Sequence, residues 1–285
     1  MRITKTLALT IFSSVLATGS LLPGAAQAGR GGSPQAIQSA IAANSVDTIQ
    51  AELERAEYLV CAACADMVVP LVDHPSYRVR QAAAWWLARR GASRQVYLSM
   101  LNRLSQPDSA LARNAADVLG EFRAASSIPA LSAALSNPIF TGEARAAMAH
   151  ALGQIGRPEV AAPLTQALAA SDPVVKAASL QALRDVEGFH DGMVAVPLVQ
   201  DADAIVRAEA ATTIGMMHTR AAASALVQAL ASDPDVAVRK KAAWSLGSIG
   251  APVSVAGPAL QAAATSDPSP FVRSLAQIAI SRLTQ

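Results

Sequence analysis

Apolar residues recur at helical spacing along most of the chain, and the stretch Asp233 to Gly250, DPDVAVRKKAAWSLGSIG, shows the pattern best. Val238, Ala242, Leu246 and Ile249 fall on one face of a helix. Asp233 reads as the N-cap, Pro234 as the first helical residue, where a missing N–H costs nothing, and Gly250 as the stop. The same frame returns as VRQAAAWWLA from Val79, ARAAMAHALG from Ala144, VKAASLQALR from Val175, VRAEAATTIG from Val206 and VRSLAQIAIS from Val272, with a divergent copy, LARNAADVLG, from Leu111. The second residue of each copy is Arg80, Ala112, Arg145, Lys176, Arg207, Arg239 and Arg273, at intervals of 32, 33, 31, 31, 32 and 34. A near-constant period of this length predicts a repeated helix pair.

These marker helices are predicted to start near Pro75, Pro107, Thr141, Pro173, Asp203 and Pro234, with a last, unpaired one from Pro268. Partner helices are predicted near 93–105, 125–136, 158–170, 189–200, 219–231 and 252–265; Val160, Pro163, Leu164, Ala167 and Leu168 illustrate their apolar spacing. Ahead of the repeats, 35–43 and 46–72 read as helical, Ser45 as an N-cap and Pro70 as a bend or stop. Residues 35–72 are expected to form an irregular cap over the open end of the stack, and 73–285 the repeats. Only 4% of residues are aromatic and alanine dominates the predicted core, so stability has to come from many close contacts between neighbouring repeats.

The motif VR-x-x-A-A-x-x-L-G-x-I-G, preceded by Asp-Pro, resembles the HEAT-like repeats of the phycobilisome-lyase type, within the HEAT/armadillo class, from about Pro75 to the C-terminus. The resemblance implies an all-α fold, a right-handed α-solenoid of HEAT-like helix pairs whose marker helices line the concave side. It specifies fold rather than function. Each marker Arg, with an Asp near the preceding N-cap, suggests a ladder of partly exposed ion pairs along the stack, each contributing ~0.2–1 kcal/mol. Ala112 breaks that ladder beside Arg113, and the fourth marker repeat departs further: Lys176 replaces Arg, Arg184 replaces the usual Gly, and Gly188 and Gly192 flank Phe189-His190. Residues 184–192 are therefore expected to be a local change of curvature or a soft point.

Residues 1–28 read as a secretory signal peptide: Arg2 and Lys5, an apolar core from Leu7 to Leu22, and Ala26-Gln27-Ala28 as a small-residue cleavage site. Gly29 to Pro34, GRGGSP, reads as a flexible lead. The expected location is periplasmic or extracellular, with no membrane span once the signal is removed. The signal carries two of the 23 Lys and Arg and none of the 21 Asp and Glu, so the remaining chain is neutral with His uncharged. A neutral solenoid with only Lys240-Lys241 locally basic is not expected to bind nucleic acid.

The candidate chemistry is thin. Cys61 and Cys64 form a C-A-A-C followed by Ala65, which lacks the His of a c-type haem site and the further ligands of a zinc site. A structural disulfide or two buried thiols is favoured over a redox role. None of His74, His150, His190 and His218 is followed by Glu, so the iron-binding pairs of hydroxylases built on HEAT-like repeats are absent, and no nucleophile–base constellation is evident. No enzyme activity and no cofactor are expected.

What remains is surface. Five residues after each marker position lie Trp85, Asp117, His150, Gln181, Thr212, Trp244 and Ile278, and nine after lie Arg89, Glu121, Gln154, Asp185, Met216, Ser248 and Arg282. Positions +1, +5 and +9 share a stripe of a helix. Trp85, Arg89, Asp117, Glu121, His150, Gln181, Thr212 and Trp244 are the candidate partner-binding residues, with Trp86 assigned to the core. The expected function is an exported, non-catalytic scaffold that binds a protein or peptide on its concave face. The alternatives are a thiol-redox or cofactor-handling accessory using Cys61 and Cys64, or a structural spacer of an envelope assembly.

Overall fold

The computed structural model describes residues 32–90 and 93–285. Residues 1–28, read as a signal peptide, and the first half of the glycine-rich lead lie outside them. At the edge of the lead, Ser33 caps a helix that begins at Pro34, with its side chain accepting from the Ala36 N–H.

Fifteen α-helices and several short 3₁₀ turns make up the described residues, and no strand is found among them. The cap comprises α1 (Pro34–Ala43), α2 (Val46–Arg55, capped by Ser45 as expected) and α3 (Ala62–Val68), continued by a 3₁₀ turn at Val69–Asp73. The continuous helix expected over 46–72 is thus broken at 56–61. There the Ala56 carbonyl accepts from the Trp86 indole at 3.1 Å and from Arg90 Nη2 at 3.0 Å, while Cys61 takes an extended conformation as the N-cap of α3.

The marker helices are α4 (Tyr77–Ala88), α6 (Ser109–Phe122), α8 (Gly142–Ile155), α10 (Pro173–Leu183), α11 (Ala204–Met216), α13 (Val236–Ser248) and α15 (Pro270–Leu283). Their partners are α5 (Ser93–Arg103), α7 (Ile128–Ser136), α9 (Ala161–Ala167), α12 (Ala223–Ser232) and α14 (Val253–Ser266). The fourth partner in chain order, expected as a helix over 189–200, is a 3₁₀ segment, Gly192–Gln200; Pro197 in its middle has no N–H to give, and Val194, Val196 and Val199 are β-branched. The start of α13 also differs from expectation. Asp235, not Asp233, is the N-cap and accepts from the Ala237 and Val238 N–H groups, because Asp233 is taken by other partners.

Each marker helix packs on the next, from α2 and α4 through to α15, and each partner packs on the marker that follows it. The result is an all-α solenoid with one continuous core. Marker helices touch along the whole row, whereas partner helices meet one another more sparsely. The more closely spaced row of a curved stack is its inner one, which puts the marker helices on the concave side.

Two devices hold the marker row. The first is glycine at the eighth position after the marker. A Cβ on Gly153 would lie 2.9 Å from both Cα and Cβ of Ala182, one on Gly120 2.9 Å from Ala151 Cα, and one on Gly247 3.0 Å from Ala279 Cα. Only a residue without a side chain lets neighbouring backbones come this close. The second device is the ladder. Lys176 bonds Asp201 at 2.6 Å, Arg207 bonds Asp233 at 2.8 and 3.0 Å, and Arg239 bonds Asp267 at 2.8 and 3.2 Å. Each acceptor Asp also takes the N–H two residues ahead, at Asp203, Asp235 and Ser269 respectively. Arg207 and Arg239 use their remaining nitrogen on two carbonyls of their own loop, Asp201 and Ala202 or Asp233 and Pro234.

The ladder differs from expectation in partner, burial and extent: each acceptor Asp lies ahead of the following marker helix, not near the preceding N-cap. For the Arg239–Asp267 pair the side chains are only 12% and 6% exposed, so these are largely buried pairs rather than surface ones. The links need an Asp two residues before the next N-cap, and that place holds Gln106 ahead of α6, Ile139 ahead of α8 and Ala170 ahead of α10. The ladder therefore runs only from Lys176 onwards. Arg145 turns instead to the Leu135 carbonyl.

Candidate functional site

The inner face of the marker helices carries two depressions. One, of about 250 Å³, is lined by Gln50, Glu54, Arg78, Gln81, Trp85 and Glu121. Trp85 is partly buried, leans on the core, and has the Arg89 guanidinium 4.6 Å from its ring centre. Glu121 accepts from Gln81 at 2.8 Å and Gln154 at 3.1 Å, which joins α4, α6 and α8 across the face. Arg78 bridges to Asp47 at 2.8 Å and Gln50 at 3.0 Å. The floor of this depression is thus a fixed polar lattice with one aromatic wall.

The second depression, also about 250 Å³, is lined by Ala146, His150, Val174, Ala177, Gln181 and Ile205 among others. Its walls are mainly apolar. The edge of His150 reaches solvent, yet loss of solvation against these walls pushes its imidazole below the ordinary 6.5, in opposition to the pull of Asp185. His150 is accordingly neutral near pH 7.

Two of the candidate residues do not face this surface. Asp117 is buried and accepts from Arg80 at 2.9 and 2.7 Å. The cause is Gln106: Arg80 has no Asp at the usual loop position and takes the +5 carboxylate instead. Burial pushes the Asp117 carboxyl upward in spite of Arg80, so the pair fixes position more than it adds stability. Thr212 is buried as well, its hydroxyl donating to the Ala208 carbonyl at 2.8 Å. The expectation that these two offer free hydrogen-bonding groups to a partner is corrected accordingly.

Trp244 is partly exposed and lies over Gly215, where a Cβ would meet its Cζ3 at 2.7 Å. Trp86 is fully buried, with Arg90 stacked 3.3 Å from its ring centre. Cys61 and Cys64 are bridged to each other. Among the described residues no group of three or more His, Cys, Asp or Glu could hold a metal ion, and no helix is long and apolar enough to cross a membrane.

The stripe reading from sequence missed a second set of residues. Val174, Ile205 and Phe271 stand two positions before the marker residue, seven before the +5 position, and are exposed by 49%, 66% and 68%. With Val236, Met216 and Ile278, also exposed, they give the C-terminal half of the inner face an apolar character. The signal was legible: apolar residues in the first turn, seven before the stripe, belong to the same face of a helix.

The family model described as HEAT repeats matches residues 97–184 and 194–281. The gap between the matches falls on the segment where Arg184 to Gly192 depart from the repeat. Among solved structures, the E. coli protein YIBA is 15% identical over 88% of this chain and 91% of its own, with a TM-score of 0.53. The CpcE–CpcF complex of phycocyanin lyase from a Nostoc species is 21% identical over 77% and 94%, with a TM-score of 0.43. Human deoxyhypusine hydroxylase is 19% identical over 88% and 96%, with a TM-score of 0.40. At such identities the likeness concerns the fold alone. No curated protein matches the chain.

Proposed function

The chain belongs to the HEAT-repeat family, and we propose that it works as an exported, non-catalytic scaffold holding a protein or peptide partner on the inner face of its marker helices. The observation that carries the reading is the apolar character of the inner surface in the C-terminal half: Val174 on α10, Ile205 on α11, and Phe271 and Ile278 on α15 stand exposed, with only the Lys240 ammonium, 5.4 Å from its ring centre, over Phe271. Solitary exposed apolar side chains are ordinary, but several of them gathered on one face of a solenoid favour an interaction surface. The polar lattice around Trp85 at the other end supplies fixed donors and acceptors for orientation, with an aromatic anchor of the kind that dominates binding energy. Export rests on the pattern of residues 1–28. Absence of catalysis rests on the lack of a nucleophile, base or metal constellation on this surface.

The test is affinity capture from the organism's own cell envelope with the wild-type chain and with Ile205→Asp/Phe271→Asp, followed by mass spectrometry. A partner recovered by the wild type and lost with the variant, both equally helical, supports the reading. Recovery of the same partner by both places binding elsewhere and overturns it.

A further inference from the structure

The loop from Ala56 to Cys61 is built unlike a structural staple. Here Tyr58 and Val60, three residues and one residue before Cys61, are 87% and 99% exposed, the two highest values among the large exposed hydrophobic side chains of the described residues. They are not on a loose excursion. Arg90 Nη2 donates to the Ala56 and Glu57 carbonyls at 3.0 and 2.9 Å, the Trp86 indole donates to Ala56, and Leu59 N–H closes on the Ala56 carbonyl at 3.0 Å. The fully buried Trp86 and the guanidinium stacked on it therefore present Tyr58 and Val60 to solvent from a firm base.

The bridge itself is unequal. Cys61 is partly exposed, Ala62 and Ala63 after it are exposed, and Cys64 is completely buried. An incoming thiolate can reach only one of the two sulfurs.

We propose that the Cys61–Cys64 disulfide is an exchange site for a dithiol protein, which docks on Tyr58 and Val60 and attacks at Cys61. The partner thiolate forms a bond to Cys61 Sγ, the Cys61–Cys64 bond breaks, and its electron pair leaves on Cys64 Sγ, which takes a proton from water. The second thiol of the partner, as thiolate, then attacks the partner's own sulfur in the mixed disulfide and releases Cys61, which is protonated in turn. The net result is an oxidised partner and a reduced Cys61–Cys64 pair, and the reverse sequence restores the bridge. Buried Cys64 acts only as an internal resolving group. This site lies on the cap, in the loop that follows α2, and does not depend on the scaffold reading.

The test uses the full chain with two probes, glutathione redox buffers and a thioredoxin-fold dithiol protein. Thiol alkylation with mass spectrometry should show the bridge opening and closing reversibly while the far-ultraviolet circular dichroism is unchanged. Oxidised glutathione should add to Cys61 in Cys64→Ser about tenfold faster than to Cys64 in Cys61→Ser, following access to the attacking sulfur. Reduction by the dithiol protein should slow about fivefold in Tyr58→Ser/Val60→Ser, with reduction by glutathione unchanged, since only the protein probe docks. A bridge that opens only as the helices melt, equal rates at the two sulfurs, or indifference of the protein probe to Tyr58 and Val60 would overturn the proposal.

Discussion

Gly153→Ala sets two known effects against each other at one position. In a free helix the change from Gly to Ala stabilises by ~1 kcal/mol. Within the solenoid the new Cβ would stand 2.9 Å from Cα and Cβ of Ala182 on the next marker helix, where ordinary contact begins at 3.4 Å. Half an ångström must come from backbone movement, because Cα cannot rotate out of the way and Gly153 lies within α8, packed on α10. Overpacking of this kind costs ~1–3 kcal/mol. The loss should exceed the gain, leaving a net destabilisation of up to about 2 kcal/mol. In a repeat array that loss is confined to one interface, so it should lower the urea midpoint and uncouple the unfolding of the two halves on either side of α8 and α10. Ala182→Gly in the same chain removes the clashing Cβ but not Cα, and should restore part of the loss in a double-mutant cycle. Urea titrations of the two single variants and the double variant give all these quantities. A Gly153→Ala chain as stable as the wild type, or more so, would refute the idea that close backbone approach sets the marker row.

Arg239→Met should cost about 2–3 kcal/mol, because it strands the largely buried Asp267 carboxylate and the Asp233 and Pro234 carbonyls together; thermal melting measures it, and a loss below 1 kcal/mol, the figure for an exposed pair, would reject the burial argument. Acid should weaken the ladder first. At Asp267 the Arg239 hydrogen bond, the Ser269 N–H and nearby charge outweigh burial, and at Asp233 and Asp201 partners of the same kind together outweigh a larger burial effect; all three carboxyls are lowered from 3.8. A depressed folded value means that the unfolded chain binds more protons, so this stabilisation is present above 3.8 and is lost as pH falls through the lower folded values. Melting curves of wild type and Asp267→Asn across that window should converge toward low pH, and parallel curves would remove the ladder from the account. Trp85→Ala should weaken partner binding by ~2 kcal/mol if Trp85 anchors the partner, whereas Trp244→Ala, which uncovers Gly215, should act more on melting temperature. Unchanged affinity in Trp85→Ala would remove that anchor.

The repeat, its period and the marker helices were legible because they rest on local rules: apolar spacing, an Asp cap and a closing Gly or turn. What was not legible depends on the neighbour. Asp117 and Gln181 occupy the same repeat position, and the loop ahead of each helix lacks the ladder Asp, yet Arg80 reaches the Asp117 carboxylate whereas Arg145 turns to the Leu135 carbonyl and leaves Gln181 to line a depression. The cap misled for a related reason. Residues 46–72 carry a helical pattern, but the Ala56 carbonyl finds better donors in Trp86 and Arg90 thirty residues and more away, and the helix stops there. Asp233 is a sound N-cap on local grounds, and loses that role because Arg207 from the preceding repeat claims its side chain.

The same reasoning explains why the apolar depression sits where it does. At most marker interfaces a glycine draws the helices together, but between α10 and α11 that place belongs to Arg184, which reaches Glu209 at 2.7 Å. Equivalent hydrogen bonds report the spacing: Thr213 to the Leu180 carbonyl is 3.4 Å, whereas Ser245 to the Ala211 carbonyl, one interface on, is 2.7 Å. The α10–α11 interface is therefore the wider one. A wider interface on the inner face leaves room that neighbouring side chains do not fill, and the His150–Gln181 depression opens onto this interface, with Ile205 on its far wall. The departure from the repeat at Arg184 thus opens an apolar place on the inner face, distinct from the polar depression at Trp85, and on the proposed reading the apolar contact of a partner is expected to centre there.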